Sequence, residues 1–215
     1  MATATYNWPD TSTKIGIVSF NSVAVFYDRQ VQADDFAPTA QRFAPATVRG
    51  FREVDLASLA IPTTATVNSA TLTRDIAAAD ADYEVCGADP ISTSIAGTTA
   101  QQHYTAIGSG VDYQNTPSSE TSGQVVTVLN AAGLADLQAR ITAGAATFML
   151  GLRLVDEATD SNCFEDGYAA TQSFVIDYTE GASSDIATIN GVARASISAV
   201  NGLAIADVAS VNGLE

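Results

Sequence analysis

Apolar and polar residues alternate with a period of two along most of this chain, and no other feature narrows its fold as far. In an extended strand successive side chains point to opposite faces, so such alternation marks a strand with one buried face. The clearest case is Thr147–Val155, where Phe148, Leu150, Leu152 and Leu154 form a core face and Met149, Gly151, Arg153 and Val155 point the other way. Ser173–Thr179 repeats the pattern with Phe174, Ile176 and Tyr178, and Val23, Val25 and Tyr27 alternate with Ala24 and Phe26. Gln124–Leu129 holds the β-branched run Val125-Val126-Thr127-Val128. Further strands are predicted at Lys14–Ser19, Gly50–Leu56, Val67–Ile76 and Tyr83–Cys86.

Turn-forming pairs punctuate these runs: Ala37-Pro38, Ala44-Pro45, Ile61-Pro62, Asp89-Pro90, Thr116-Pro117 and Asp166-Gly167. Many short strands separated by such turns predict an all-β fold, a jelly-roll-like antiparallel sandwich over residues 1–180. One segment has a different period. Ala131–Ala143 spaces Leu134, Leu137 and Ile141 as a helix does, with Asn130 placed to cap it and Gly144 to end it.

The residues after Gly181-Ala182-Ser183-Ser184, which reads as a hinge, follow another rule. Asn-Gly recurs every eleven residues, at Asn190-Gly191, Asn201-Gly202 and Asn212-Gly213. Around the three turns lie Ile186, Ile189 and Val192, then Ile197, Val200 and Leu203, then Val208, Val211 and Leu214. Asn-Gly suits the positive φ angles of a two-residue hairpin loop. Nine-residue strands joined this way form a small meander, and one turn per rung forms a solenoid. Units this small cannot bury both faces alone. Residues 181–215 therefore read as a β-repeat tail that packs on its own sandwich, on copies of itself (a homo-oligomer, a trimer foremost) or on a partner, and so as an element for assembly or docking.

Charge narrows the partners. Only 15% of residues are charged, against about 25% in typical globular chains, and nine Lys plus Arg face 24 acids, for a net charge of −15. Such a chain lacks the basic footprint that nucleic acid or anionic lipid requires. No stretch of apolar residues is long enough to span a membrane, and MATATYNWPD has neither the basic nor the apolar region of a secretory leader. Cys86 and Cys163 fit either a disulfide or two buried thiols.

Catalytic chemistry finds little to build on. His103, the single histidine, lies in the polar run Gln101-Gln102-His103-Tyr104 and reads as a surface or loop residue. One histidine and two separated cysteines do not make the usual zinc ligand set. The acids Asp156, Glu157, Asp160, Glu165 and Asp166, with Asn162, crowd one predicted loop; that is oxygen chemistry suited to calcium, though the spacing differs from an EF-hand, and a solvated acidic loop fits as well. Asp80 and Asp82 form a second, smaller acid pair, and a carboxylate pair for glycan hydrolysis or elimination has no distinguishing mark among the 24 acids. Gly108-Ser109-Gly110 lacks the lysine of a phosphate loop. Trp8, Tyr6, Tyr83, Tyr104, Tyr113 and Tyr168 can stack on sugar rings only if they share an exposed face.

Two stretches carry a resemblance. Arg49-Gly50-Phe51-Arg52-Glu53-Val54-Asp55-Leu56-Ala57-Ser58-Leu59-Ala60-Ile61-Pro62 and Ala65-Thr66-Val67-Asn68-Ser69-Ala70-Thr71-Leu72 resemble the signature of DNRLRE-type sandwich domains. In these a strand ending in an aromatic-Asp-Leu run, with Val54 at the aromatic position here, leads through a short loop to Ile-Pro and on to a strand of the form Ile-x-Ser-Ala-x-Leu. Phe148–Val155 and Phe174–Tyr178 resemble the family's closing strands, so the likeness covers about residues 14–180. It implies a jelly roll similar to carbohydrate-binding modules, of a kind found on microbial surfaces and in phage particles, with no catalytic residues. The tail is similar to the Asn-Gly-Val/Leu repeats that end many bacteriophage structural proteins. Together these imply a virion component on the particle surface (head decoration, fibre or tail-associated) rather than an enzyme, with no cofactor. A glycan-binding surface module is the second reading, and a carboxylate-based glycan hydrolase or lyase the third.

Overall fold

The computed structural model describes residues 1–8, 15–21, 26–31, 39–43, 46–88, 100–165, 172–181, 188–189, 192–193, 199–200 and 203–204. Its strands are β1 (Ala2–Asn7), β2 (Ile15–Asn21), β3 (Phe26–Val31), β4 (Thr39–Phe43), β5 (Ala46–Asp55), β6 (Thr66–Ala79), β7 (Tyr83–Gly87), β8 (Gly123–Val128), β9 (Thr147–Leu154), β10 (Ser161–Glu165), β11 (Ser173–Thr179), β12 (Thr188–Ile189), β13 (Val192–Ala193), β14 (Ala199–Val200) and β15 (Leu203–Ala204). The helices are α1 (Ala100–Ser109) and α2 (Ala131–Thr142). The fold is all-β, and every strand pairing is antiparallel.

Two layers make the sandwich. One runs β1-β11-β6-β8 and the other β3-β2-β5-β9-β7. Strand β10 pairs β6 on one side and β4 on the other, and β4 pairs β5, so the layers are hydrogen-bonded together along one flank. Between them Ala70, Leu72, Phe174 and Ile176 of the first layer meet Val54, Val85, Phe148 and Leu150 of the second. Burying one such large side chain stabilises by about 1.5–3 kcal/mol, which makes this interlayer cluster the dominant cohesive element.

Helix α2 lies where its spacing predicts. Asn130 caps it by accepting from the Gly133 N–H at 3.0 Å, an interaction of about 1 kcal/mol, and Gly144 follows its end at φ +64°. Leu137 and Ile141 enter the interlayer core, with Leu134 packed at its edge. The predicted strands at 147–155 and 173–179 also match closely, while Val23, Val25 and Lys14 lie outside the described residues.

The second helix, α1, corrects the single-helix expectation. It covers the outer face of the β2-β5-β9-β7 region, where its Ile107 packs with Phe51, Cys86, Ala88 and Met149. Strand β9 is therefore buried on both faces, not on one: Met149 and Gly151 are as enclosed as Phe148 and Leu150. Gly151 is the seat of the helix. A Cβ there would come within 2.8 Å of both Cys86 Sγ and Ile107 Cγ2. We expect Gly151→Ala to lower stability by about 1–3 kcal/mol through overpacking, read as a lower urea midpoint. An unchanged midpoint would show that α1 does not rest on β9 in solution.

Candidate functional site

A buried cluster of charged side chains lies inside the sandwich. Arg52 on β5 and Arg74 on β6 face each other from opposite layers, in phase with the core residues Val54 and with Leu72 and Ile76. Between them stands Glu165 at the end of β10. Arg52 Nη2 donates to Glu165 Oε2 at 2.6 Å and Arg74 Nη1 to Glu165 Oε1 at 3.1 Å. All three side chains are at most 3% exposed. Arg74 Nη2 also donates to Thr127 Oγ1 at 3.0 Å. The Arg52 guanidinium lies 4.9 Å from the Trp8 ring centre and that of Arg74 5.4 Å from Tyr83, distances at which a ring face attracts a cation. Trp8 is fixed in turn by donating its indole N–H to the Glu53 carbonyl at 2.9 Å. Burial lowers the pKa of Arg52, the Glu165 carboxylate raises it, and the neighbouring Arg74 cation lowers it again. Two donors, Arg52 Nη1 and Arg74 Nε, are buried without a hydrogen-bond partner. A small cavity with room for about one water is lined by Arg52, Arg74, Glu165, Phe51, Leu150 and neighbouring residues.

The acids predicted to share a loop are not brought together. The calcium expectation for Asp156, Asp160, Asn162, Glu165 and Asp166 meets a different arrangement, because the loop becomes strand β10 at Ser161. Glu165 turns inward to the arginines. Asn162 donates its backbone and side-chain N–H groups to Asp80 at 2.6 and 2.7 Å, tying β10 to the end of β6. Asp156 accepts from Ala158 N and Thr159 Oγ1, both at 2.8 Å, which holds its carboxyl below the usual range. Glu157 chelates Arg49 at 2.8 and 2.6 Å. Asp160 is exposed, and Asp166 lies outside the described residues. Among the described residues no group of three or more His, Cys, Asp or Glu could hold a metal ion.

One other expectation changes, and two open alternatives are decided among the described residues. His103 is neither in a loop nor on the surface: it is 1% exposed on α1 and meets the Phe51 ring edge-on at 5.5 Å. Cys86 and Cys163 are free and buried, not bonded. They belong to separate clusters on opposite faces of a layer, Cys86 beneath α1 and Cys163 in the interlayer core, so a sheet stands between the thiols. The aromatic residues do not form an exposed platform either. Trp8, Tyr83 and Tyr113 are core residues, with Tyr113 stacked on Phe148 and its hydroxyl donating to Asp136 at 2.8 Å. Tyr6 packs edge-on against Trp8, and Tyr104 lies under the Arg49 guanidinium at 3.9 Å; Tyr168 lies outside the described residues.

In the tail, two of the three Asn-Gly units have described neighbours. Ile189 pairs with Val192 and Thr188 with Ala193 around Asn190-Gly191. Val200 pairs with Leu203 and Ala199 with Ala204 around Asn201-Gly202. Among the described residues the two units form separate two-stranded sheets, and the residues that would distinguish a meander from a solenoid lie outside them. Ile186, Ile197, Val208, Val211, Leu214 and the third turn, Asn212-Gly213, lie outside the described residues.

The Arg52–Glu165–Arg74 cluster escaped the reading of the sequence, yet it leaves a signal there. Arg74 interrupts the apolar face Ala70, Leu72, Ile76, and a charge in phase with a buried face implies a buried counter-charge. What the sequence does not carry is that Glu165, far along the chain, is that partner.

Two measurements check this site. Glu165→Ala leaves two buried cations uncompensated and should cost about 3–5 kcal/mol, seen as a large fall in the urea midpoint. The thiols give a pH test. Burial raises Cys86 from its usual value near 9 to about 12 and pushes Cys163 up as well. Above pH 9 the unfolded chain loses these protons while the folded chain keeps them, so stability is full below pH 9 and falls as pH rises. The slope approaches about 1.4 kcal/mol per pH unit for each thiol, and neither thiol should react with a disulfide reagent at pH 8 until the chain unfolds. No family model, no curated protein and no solved structure matches this chain.

Proposed function

We propose that this chain is a structural component of a bacteriophage particle, a head decoration, fibre or tail-associated protein. Its sandwich is displayed at the particle surface and its Asn-Gly tail oligomerises or docks on other virion proteins. The observation that carries the reading is the tail. Two units eleven residues apart close the same antiparallel pair in the same register, each as its own two-stranded sheet. An isolated pair of two-residue strands has too little buried surface to persist in water, so repeated copies of it call for a surface to pack against. A second copy of the chain, or a neighbouring virion protein, supplies that surface.

The body supports a displaying role. Arg49, Arg52, Arg74, Arg140 and Arg153 all donate within the fold, and the buried aromatics Trp8, Tyr83 and Tyr113 stabilise the core instead of facing a ligand. The resemblance of residues 14–180 to DNRLRE-type domains, and of the tail to phage repeats, fits the same role.

Native mass spectrometry tests it. The full chain should form a defined oligomer, a trimer foremost. Deleting Ile186–Glu215 should leave a folded monomer. Gly191→Val with Gly202→Val and Gly213→Val should do the same, because β-branched residues resist the positive φ that Asn-Gly sequences favour in tight turns. A full chain that stays monomeric and binds a glycan array sinks this reading in favour of a glycan-binding module.

A further inference from the structure

The interior cluster carries one unmatched positive charge. Arg52 and Arg74 bring two guanidinium groups and Glu165 one carboxylate. The other acid acting on Arg52 is Asp75, which follows Arg74 on β6 and so points to the opposite, outer face of that strand. Trp8 and Tyr83 present ring faces to the two cations, which eases their burial but provides no hydrogen-bond acceptor. A buried net charge carries a desolvation penalty that a counter-ion removes. Two further facts converge on the same place. Arg52 Nη1 and Arg74 Nε are buried donors with no acceptor, and both arginines line the same small cavity with Glu165. Most of the remaining lining, Phe51, Leu72, Val85, Leu150 and Leu152, is apolar.

We propose that this cavity binds a small inorganic anion, chloride in ordinary solution, between Arg52 and Arg74. The anion accepts hydrogen bonds from the two unsatisfied donors and brings the cluster of two cations and Glu165 to neutrality. The cavity's size selects against larger anions: a chloride, larger than a water, enters with a small outward shift of the lining, whereas a sulfate or a sugar carboxylate is not accommodated. The apolar lining limits hydration of the bound ion, so binding depends on the ion's identity and not on ionic strength. The site is independent of the tail and of any role in a particle.

Two measurements decide it. Thermal unfolding is compared in sodium chloride and in sodium gluconate at equal ionic strength. Chloride at a hundred times its Kd should raise the folded-to-unfolded ratio about 100-fold, with saturation, while gluconate should not. Arg74→Gln should abolish the chloride-specific difference even if it lowers the overall melting temperature. Crystals of the unaltered chain soaked in bromide should show an anomalous peak within hydrogen-bonding reach of Arg52 Nη1 and Arg74 Nε. Coincident melting curves in the two salts, or a cavity that holds only water in the bromide crystals, overturn the proposal. An Arg74→Gln protein that keeps the full chloride effect overturns it too.

Discussion

The carboxylate of Glu165 stands between two arginines that come from opposite layers of the sandwich, and much of the architecture depends on that placement. It lies at the end of β10, the strand that pairs with β6 of one layer and with β4 beside the other. The ion pairs therefore clamp the layers where their hydrogen bonding is shared. Their cost is desolvation, which apolar side chains of similar volume would avoid. Their effect is on register. A one-residue slip of β5 or β6 would send Arg52 or Arg74 to the outer face and strand Glu165 alone in the core.

A second constraint acts on the opposite side of the β5-β9-β7 layer. Because α1 covers it, the middle strands are enclosed on both faces, as in sheets covered by helices on both sides. The helix is held by polar tethers at its periphery. Arg49 reaches from β5 to the Tyr104 carbonyl at 2.6 Å and to Glu157. Arg153, on β9, pairs with Glu84 at 2.7 Å and donates to the Ile107 and Gly108 carbonyls at the helix end, both at 2.9 Å. A cation at a helix C-terminus meets both its unsatisfied carbonyls and its dipole. The acidic stretch after β9 thus contributes Glu157 to the outer face and Glu165 to the inner one.

What could be read from the sequence follows from how local each signal is. Strand β11 alternates cleanly because one of its faces is in the core, and α2 shows its period, its Asn130 cap and its Gly144 stop within a few residues. The pairing of Ile189 with Val192 and of Val200 with Leu203 lies on either side of an Asn-Gly dipeptide, the local signal that favours a tight reversal. Helix α1 was not. Its sequence AQQHYTAIGS has few apolar residues, and its helical state depends on Ile107 and His103 meeting a sheet assembled from distant strands. Strand β10 was hidden by its own acids: Ser161–Glu165 reads as a polar loop until Asp80, Arg52 and Arg74 are in place to receive Asn162 and Glu165. The cysteines were ambiguous because only the sheet between them separates the two thiols. Arg74 stands in phase with an apolar face, a signal the sequence holds, but the partner it shares with Arg52 is a property of the tertiary fold.

Strand β1 pairs with β11, Ala2 opposite Tyr178 and Tyr6 opposite Phe174, and Asp177 accepts from Thr3 at 2.7 Å and Ser69 at 2.9 Å across the outer face. The first strand of the sandwich is therefore completed by almost the last. During synthesis residues 2–7 have no edge to join until β11 has left the ribosome, and closing so long a loop is slow compared with local pairing. The sheet edge awaiting β1 is open in that interval, the condition under which strands of neighbouring chains pair wrongly. The order of residues along the chain thus makes closure of the sandwich one of its last folding steps, and an edge left open that late is the segment most exposed to mispairing.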